Sequence, residues 1–227
     1  MKTYLKSFLN LLFPELCTAC NNVLAGNESL ICTKCLSNLP ETGFWKQKDN
    51  PVEKLLWGRA KIEHASAFLF FEKGSSVQNI FHHFKYRGKK EIGYLLGRMY
   101  ASKLKDSFFS EIDLIIPVPL HKKKLRKRGY NQSLIISQGL SEILEKPVNN
   151  TTLSRKKFTS TQTKKSRYDR WLNVKDIFSV ENESLLENKH ILLVDDIITT
   201  GATTESLIHT LTEIPGIKIS VVALAVA

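Results

Sequence analysis

Apolar and polar positions along this chain alternate between two periods. Residues 64–71 alternate and are rich in aromatics, which predicts a strand, while residues 77–86 and Lys90–Leu104 carry apolar side chains at helical spacing and predict two helices parted at Gly88. Residues 112–118 predict a short strand. It ends at Pro117 and Pro119, which have no N–H to give to a ladder, so its exit is a loop. Residues 131–144 read as a helix, 174–180 as a short strand, 191–194 as a buried strand, Ala202–Leu211 as a helix and 217–227 as a closing strand. Strands alternating with helices imply an α/β fold: a parallel sheet flanked by helices on both faces. Residues 41–51, with Gly43, Asp49 and Asn50, have the composition of a connector and divide a small amino-terminal module, 1–45, from a larger body, 46–227. The stripe Leu5, Phe8, Leu9 and Leu12 predicts an amphipathic helix that packs on the body or docks a partner.

Composition narrows the class. The chain has 227 residues, 42% of them hydrophobic, as expected of a soluble globular protein with room for one α/β domain and an appendage. Its longest apolar runs fall well short of the about 20 residues that span a bilayer. Residues 1–13 are basic and then apolar, like a secretory signal, but no small-residue cleavage site follows. All four cysteines fall in two knuckles, Cys17-x2-Cys20 and Cys32-x2-Cys35. Each presents a pair of thiolates to a tetrahedral ion, so the expectation is a structural zinc with no open position and a reduced, cytoplasmic location. Two disulfides or a redox pair are the alternatives.

Charge placement adds a partner class. The net charge is +11, and residues 121–170 hold fourteen Lys/Arg against three acids, so the whole surplus sits in one segment. Six of those cations, Lys122, Lys123, Lys124, Arg126, Lys127 and Arg128, occupy seven positions of an expected loop. A solvated charge run is the plain reading, and a site for the phosphates of a polymer is the functional one. Tyr130, Phe158, Tyr168 and Trp171 lie among the cations, where rings stack bases unless core packing claims them.

The chemistry concentrates at residues 191–203. Four apolar residues lead into Asp195 and Asp196, and then Thr199, Thr200, Gly201, Ala202 and Thr203 precede a helix. The carboxyl edge of an open α/β sheet is where ligands bind. There the acids would face a polyol or Mg²⁺, and the turn's N–H groups with the helix's positive end would surround a phosphate. Any tight strand-to-helix turn favours Gly, Thr and Asp, but a plain turn needs no acid pair before it.

This stretch resembles the phosphoribosyl pyrophosphate (PRPP) signature of type I phosphoribosyltransferases. The resemblance implies that Asp195 and Asp196 hold the ribose hydroxyls, with Mg²⁺ accompanying PRPP, and that Thr199, Thr200, Gly201, Ala202 and Thr203 hold the 5′-phosphate. It also matches Val118, Pro119, Leu120 and His121 to the loop that receives pyrophosphate. Together with the four-cysteine module, Lys85-Tyr86-Arg87-Gly88, Arg128-Gly129-Tyr130-Asn131-Gln132, Gln162-Thr163, Arg170 and Asn173-Val174, the order looks like the ComF/GntX family. That family joins a zinc finger to a phosphoribosyltransferase domain and is associated with incoming single-stranded DNA in natural transformation. Two functions follow as expectations. One is a protein that grips single-stranded DNA beside a sugar-phosphate pocket, with a cytosolic helicase or competence factor as a further partner. The other is an active transferase that moves a ribosyl phosphate group from PRPP to a nitrogen acceptor and uses a closing loop near 156–170.

Overall fold

The structure, a computed structural model, describes residues 14–156 and 177–227. The stripe at 5–12, Phe158, Gln162, Thr163, Tyr168, Arg170, Trp171, Asn173, Val174 and most of the expected closing loop lie outside them. Among the described residues the chain forms α1 (Thr33–Ser37), α2 (Pro51–Leu56), β1 (Ala65–Phe70), α3 (Ser76–Tyr86), α4 (Lys90–Leu104), β2 (Leu114–Pro117), α5 (Lys122–Arg128), α6 (Gln132–Leu144), β3 (Leu153–Arg155), β4 (Phe178–Val180), β5 (His190–Ile198), α7 (Ala202–Leu211) and β6 (Lys218–Val226).

β1, β6, β5 and β2 lie side by side in that order, all parallel, and β3 pairs antiparallel with β4. Successive residues of a strand serve opposite faces, so Leu192 and Val194 join the apolar cluster with α3, α4 and α6, whereas Ile191 and Leu193 join the one with α7. A sheet covered on both faces leaves its strand ends as the place where polar groups meet solvent.

Two devices hold helices near the site. Asn50 caps α2, its Oδ1 accepting from Val52 N at 2.9 Å while its Nδ2 donates to Ala65 O at 2.8 Å, which ties α2 to β1. α4 and α6 approach through glycine: a Cβ on Gly97 would stand 2.5 Å from the Ile136 carbonyl oxygen, and one on Gly139 would stand 2.3 Å from that of Tyr94.

Two expectations change. Residues 41–51 are no loose connector, since Thr42 N donates to Phe68 O at 2.9 Å along the β1 edge and Phe44, Trp45 and Asn50 are buried. The expected 45/46 boundary falls inside the 3-10 turn Phe44–Lys46, and Cys17, Ile31 and Cys32 share one apolar cluster with Phe68 and Phe81. The run 122–128 is a short helix rather than a loop: the His121 ring Nδ1 accepts from Lys123 N at 3.1 Å at its start, and Gly129, at φ 81°, closes it.

Candidate active site and cysteine cluster

β5 outruns its neighbour. β2 stops with Pro117 opposite Val194, and the chain turns away after Val118 N donates to Val194 O at 2.9 Å. β5 continues to Ile198 along β6, so Asp195 and Asp196 lie inside the strand rather than after it, on the stretch that β2 leaves uncovered. Their carboxylates take the backbone donors there: Asp196 N gives to Asp195 Oδ1 at 2.8 Å and Ile197 N to Asp196 Oδ1 at 2.7 Å. Because β2 and β5 are parallel neighbours, residues 118–121 leave the sheet at the same edge.

Cations surround the pair. Lys85 Nζ is 2.8 Å from Asp196 Oδ2, and Arg128 Nη1 is 3.9 Å from the same oxygen. Gln132 Oε1 accepts from Arg128 at 2.8 Å, and Ser133 Oγ donates to Asp195 Oδ1 at 3.3 Å. Burial first, and then the Asp196 charge, push the Asp195 carboxyl up to about 7, against the pull of the Asp196 N–H, Lys85 and Ser133. Burial lowers Arg155 while Asp195 opposes it, and burial together with Arg155 and Arg128 lowers Lys124, so both cations also stand in the field of the acids. His121 is lowered by burial and by Arg155 and the lysines that follow it.

The run 128–132 builds this arrangement. Arg128 reaches Asp196, Gly129 caps α5, and the Tyr130 hydroxyl donates to the Phe84 carbonyl. Asn131 caps α6 through Ser133 N and donates Nδ2 to Val118 O at 3.1 Å, so one side chain links the helix to the expected pyrophosphate loop. Tyr130 is buried, and core packing claims it rather than a base. The six-cation run divides: Lys122, Lys123, Lys124, Arg126 and Lys127 are exposed, while Arg128 is half-buried against the acid.

The turn at 199–203 stands next to this edge. Asp195, Ile197, Ile198 and residues 199–204 line a concavity of about 40 Å³, room for a few waters and so for a phosphate rather than a whole sugar phosphate. Gly201 adopts φ 72° and is the N-cap of α7, with Leu56 Cδ2 3.2 Å from where its Cβ would stand. The first N–H groups of a helix have no intrahelical acceptor. Among the described residues, Ala202 N meets Thr200 Oγ1 at 3.5 Å, a long contact. Arg59 braces the turn, donating to Thr200 O at 2.9 Å and pairing with Glu205 on α7. A roomier concavity of about 190 Å³, lined by Lys61, Glu63 and Gly216 among others, lies at the opposite edge of the sheet, away from the acids.

Sequence reasoning named Asp195, Asp196, the 199–203 turn and residues 118–121, and the structure brings them to one edge. It missed Arg59, Ser133 and Arg155 as site neighbours, because no local pattern marks them as reaching the acids or the turn. Only the fold brings them in.

The four cysteine Sγ atoms all lie within 4.8 Å of one another, with Cys20 and Cys32 3.9 Å apart. They are free thiols, which answers the disulfide alternative. At Zn–S bonds of about 2.3 Å, tetrahedral ligands sit about 3.8 Å apart, so the cluster fits zinc. Burial opposes ionisation of Cys17, but N–H groups of Cys32, Cys20 and Ala19 bring it down to about 6. Burial and the neighbouring sulfurs push Cys35 up. One thiolate is thus favoured at the others' expense, and a divalent ion would displace the protons of the remaining thiols.

Residues 130–226 match the phosphoribosyl transferase domain family. The chain is 42% identical to Competence protein F of Haemophilus influenzae over 92 residues, 40% of each chain. It is 32% identical to Competence protein ComFC of Bacillus subtilis over 120 residues, 53% of this chain and 47% of that one. DNA utilization protein YhgH of Escherichia coli K12 is 26% identical over 198 residues, 83% of this chain and 80% of that one. Among solved structures, the glutamine PRPP amidotransferase from B. subtilis aligns with a TM-score of 0.44 at 20% identity, covering 63% of this chain and 30% of that one.

Proposed function

We propose that this chain is a ComF-like protein with a phosphoribosyltransferase domain and that it binds PRPP or a related sugar phosphate at the edge formed by residues 118–121 and 195–203. The observation that carries this reading is the juxtaposition of an acid pair, contacted by Lys85 and Arg128, with a helix-starting turn for whose N–H groups the described residues supply only the distant Thr200 Oγ1. Asp195 and Asp196 would hold the ribose hydroxyls, Thr199–Thr203 the 5′-phosphate, and Val118, Pro119, Leu120 and His121 the pyrophosphate. Mg²⁺ bound with PRPP would screen its diphosphate charge. The chain's own part is to orient the sugar and to supply fixed cations where diphosphate charge collects.

In the same reading the exposed cations of α5 hold single-stranded DNA, and the protein acts in the cytoplasm on DNA taken up during natural transformation. The names of its competence and DNA utilization relatives support this role. The acids read ribose hydroxyls, which a deoxyribose strand lacks in part, so DNA runs beside the pocket rather than through it. A cysteine module holding zinc through Cys17, Cys20, Cys32 and Cys35 would offer a surface for a helicase or another competence factor.

The second reading, transfer of a ribosyl phosphate group to a nitrogen acceptor, is favoured by the same cation ring, which suits a departing diphosphate. One assay separates the two: pyrophosphate release from PRPP, with and without single-stranded DNA. Run with a panel of nitrogen nucleophiles as acceptors, release at many turnovers with the ribosyl phosphate recovered on one of them establishes the transferase, whereas release to water alone is hydrolysis. Binding of PRPP without release leaves the pocket as a grip or regulatory site.

A further inference from the structure

An aromatic side chain at the mouth of the acid pair has no part in the function described so far. Tyr86, the last residue of α3, is 59% exposed. His82, one turn back, lies 5.5 Å away ring to ring, and the Arg128 guanidinium stands 5.8 Å from the centre of the phenol ring. That guanidinium also reaches Asp196, and Lys85, the preceding residue, holds the same carboxylate at 2.8 Å. The ring is therefore two contacts from the site, with one cation shared between them.

Its surroundings say what it suits. Arg87, Gly88, Lys89 and Lys90 are all exposed, and nothing lies within 4 Å of where a Cβ on Gly88 would stand, so the chain beside the ring is open and basic. No exposed aliphatic side chain lies in residues 82–90 to extend an apolar patch of the kind that docks a protein. The other exposed tyrosine nearby, Tyr94, is engaged through its hydroxyl with Glu142. An open phenol ring among cations, with the exposed His82 ring beside it, is the composition that takes one base by its face and the flanking phosphates by charge. A duplex keeps its base faces stacked and offers none.

We propose that Tyr86, backed by Arg128 and His82, is a stacking platform for one base of a single-stranded nucleic acid whose phosphates lie on Arg87, Lys89 and the exposed face of α5. The proposal rests on the reading that the chain binds single-stranded DNA. It also gives the strand a path along the rim of the ribose site.

The test is fluorescence anisotropy of a labelled oligo-dT of about twenty nucleotides, on the full chain, across a salt series, with calorimetry of PRPP and Mg²⁺ alongside. Tyr86→Ala should weaken oligo-dT binding about 5- to 150-fold. The slope against log salt should stay unchanged, because a ring releases no counterions. Tyr86→Phe should stay within about twofold of the wild type, and PRPP binding should not move. An oligonucleotide of the same length made wholly of abasic sites should bind wild type and Tyr86→Ala alike. Wild-type affinity for oligo-dT that survives Tyr86→Ala overturns the platform and leaves DNA binding standing. Loss accompanied by a shallower salt slope makes Tyr86 a prop for Arg128 and also overturns it. No oligo-dT binding by the wild type removes the DNA reading itself, and the platform with it.

Discussion

Lys85 Nζ lies 2.8 Å from Asp196 Oδ2, both side chains are 15% exposed, and the two come from the end of α3 and the late part of β5. The contact joins the helix layer to the strand that carries the acids, and it neutralises one of two adjacent carboxylates. Lys85→Met should lower unfolding stability by about 1–3 kcal/mol, since it leaves a largely buried charge without its nearest partner. Lys85→Met/Asp196→Asn should recover more than half of that loss. Urea denaturation of the four proteins measures the coupling, and additive losses would show that the pair contributes nothing of its own.

Stability should also depend on pH through Asp195. Its folded value of about 7 lies above the ordinary carboxylate value, so between those two points the native state holds a proton that the unfolded chain has released. The native state is favoured most at low pH, and the advantage is lost as pH rises through 7. Asp195→Asn carries no such charge. Relative to wild type it should therefore gain about 1–3 kcal/mol between pH 5 and pH 8 without ligand. Denaturant midpoints at both pH values check the sign. A gain towards acid pH would mean that the carboxyl is held ionised by its cations.

The α4–α6 contact should tolerate no added methyl. Gly97→Ala and Gly139→Ala each drive a Cβ into a backbone carbonyl at under 3 Å, where no flexible side chain can yield. Each should cost about 1–3 kcal/mol or more, while Ser102→Ala on the exposed face of α4 should stay within about 0.5 kcal/mol. Because α6 carries Ser133 and is capped by Asn131, the glycine variants should also weaken PRPP binding.

For the cysteine cluster, elemental analysis should give one zinc per chain. A chelator or Cys17→Ser should expose the core that Cys17 and Cys32 share with Phe68, read as a fall in thermal midpoint. A metal-free chain with an unchanged midpoint would make the cluster four plain thiols.

What the sequence disclosed follows physical range. The parallel sheet and its helices are written in local periods, and 195–203 is one contiguous strand-to-helix motif, so the elements and the place of that motif at the sheet edge are legible. The basic run was read as a loop because lysines carry no apolar period, yet the His121 ring and Gly129 cap it as a helix. Tyr130 looked available for stacking, but its burial is set by Phe84, 46 positions earlier. Arg59 and Ser133 reach the site from 141 and 62 positions away, and no local pattern marks contacts of that range.

The central claim is that Asp195, Asp196 and the 199–203 turn form one sugar-phosphate site. Titration calorimetry of the zinc-loaded chain with PRPP and Mg²⁺ tests it most directly, comparing wild type with Asp195→Asn/Asp196→Asn. The account predicts a single saturable event per chain in the wild type and none in the variant. Binding that survives loss of both carboxylates, or a folded wild type that takes up no PRPP, would contradict it.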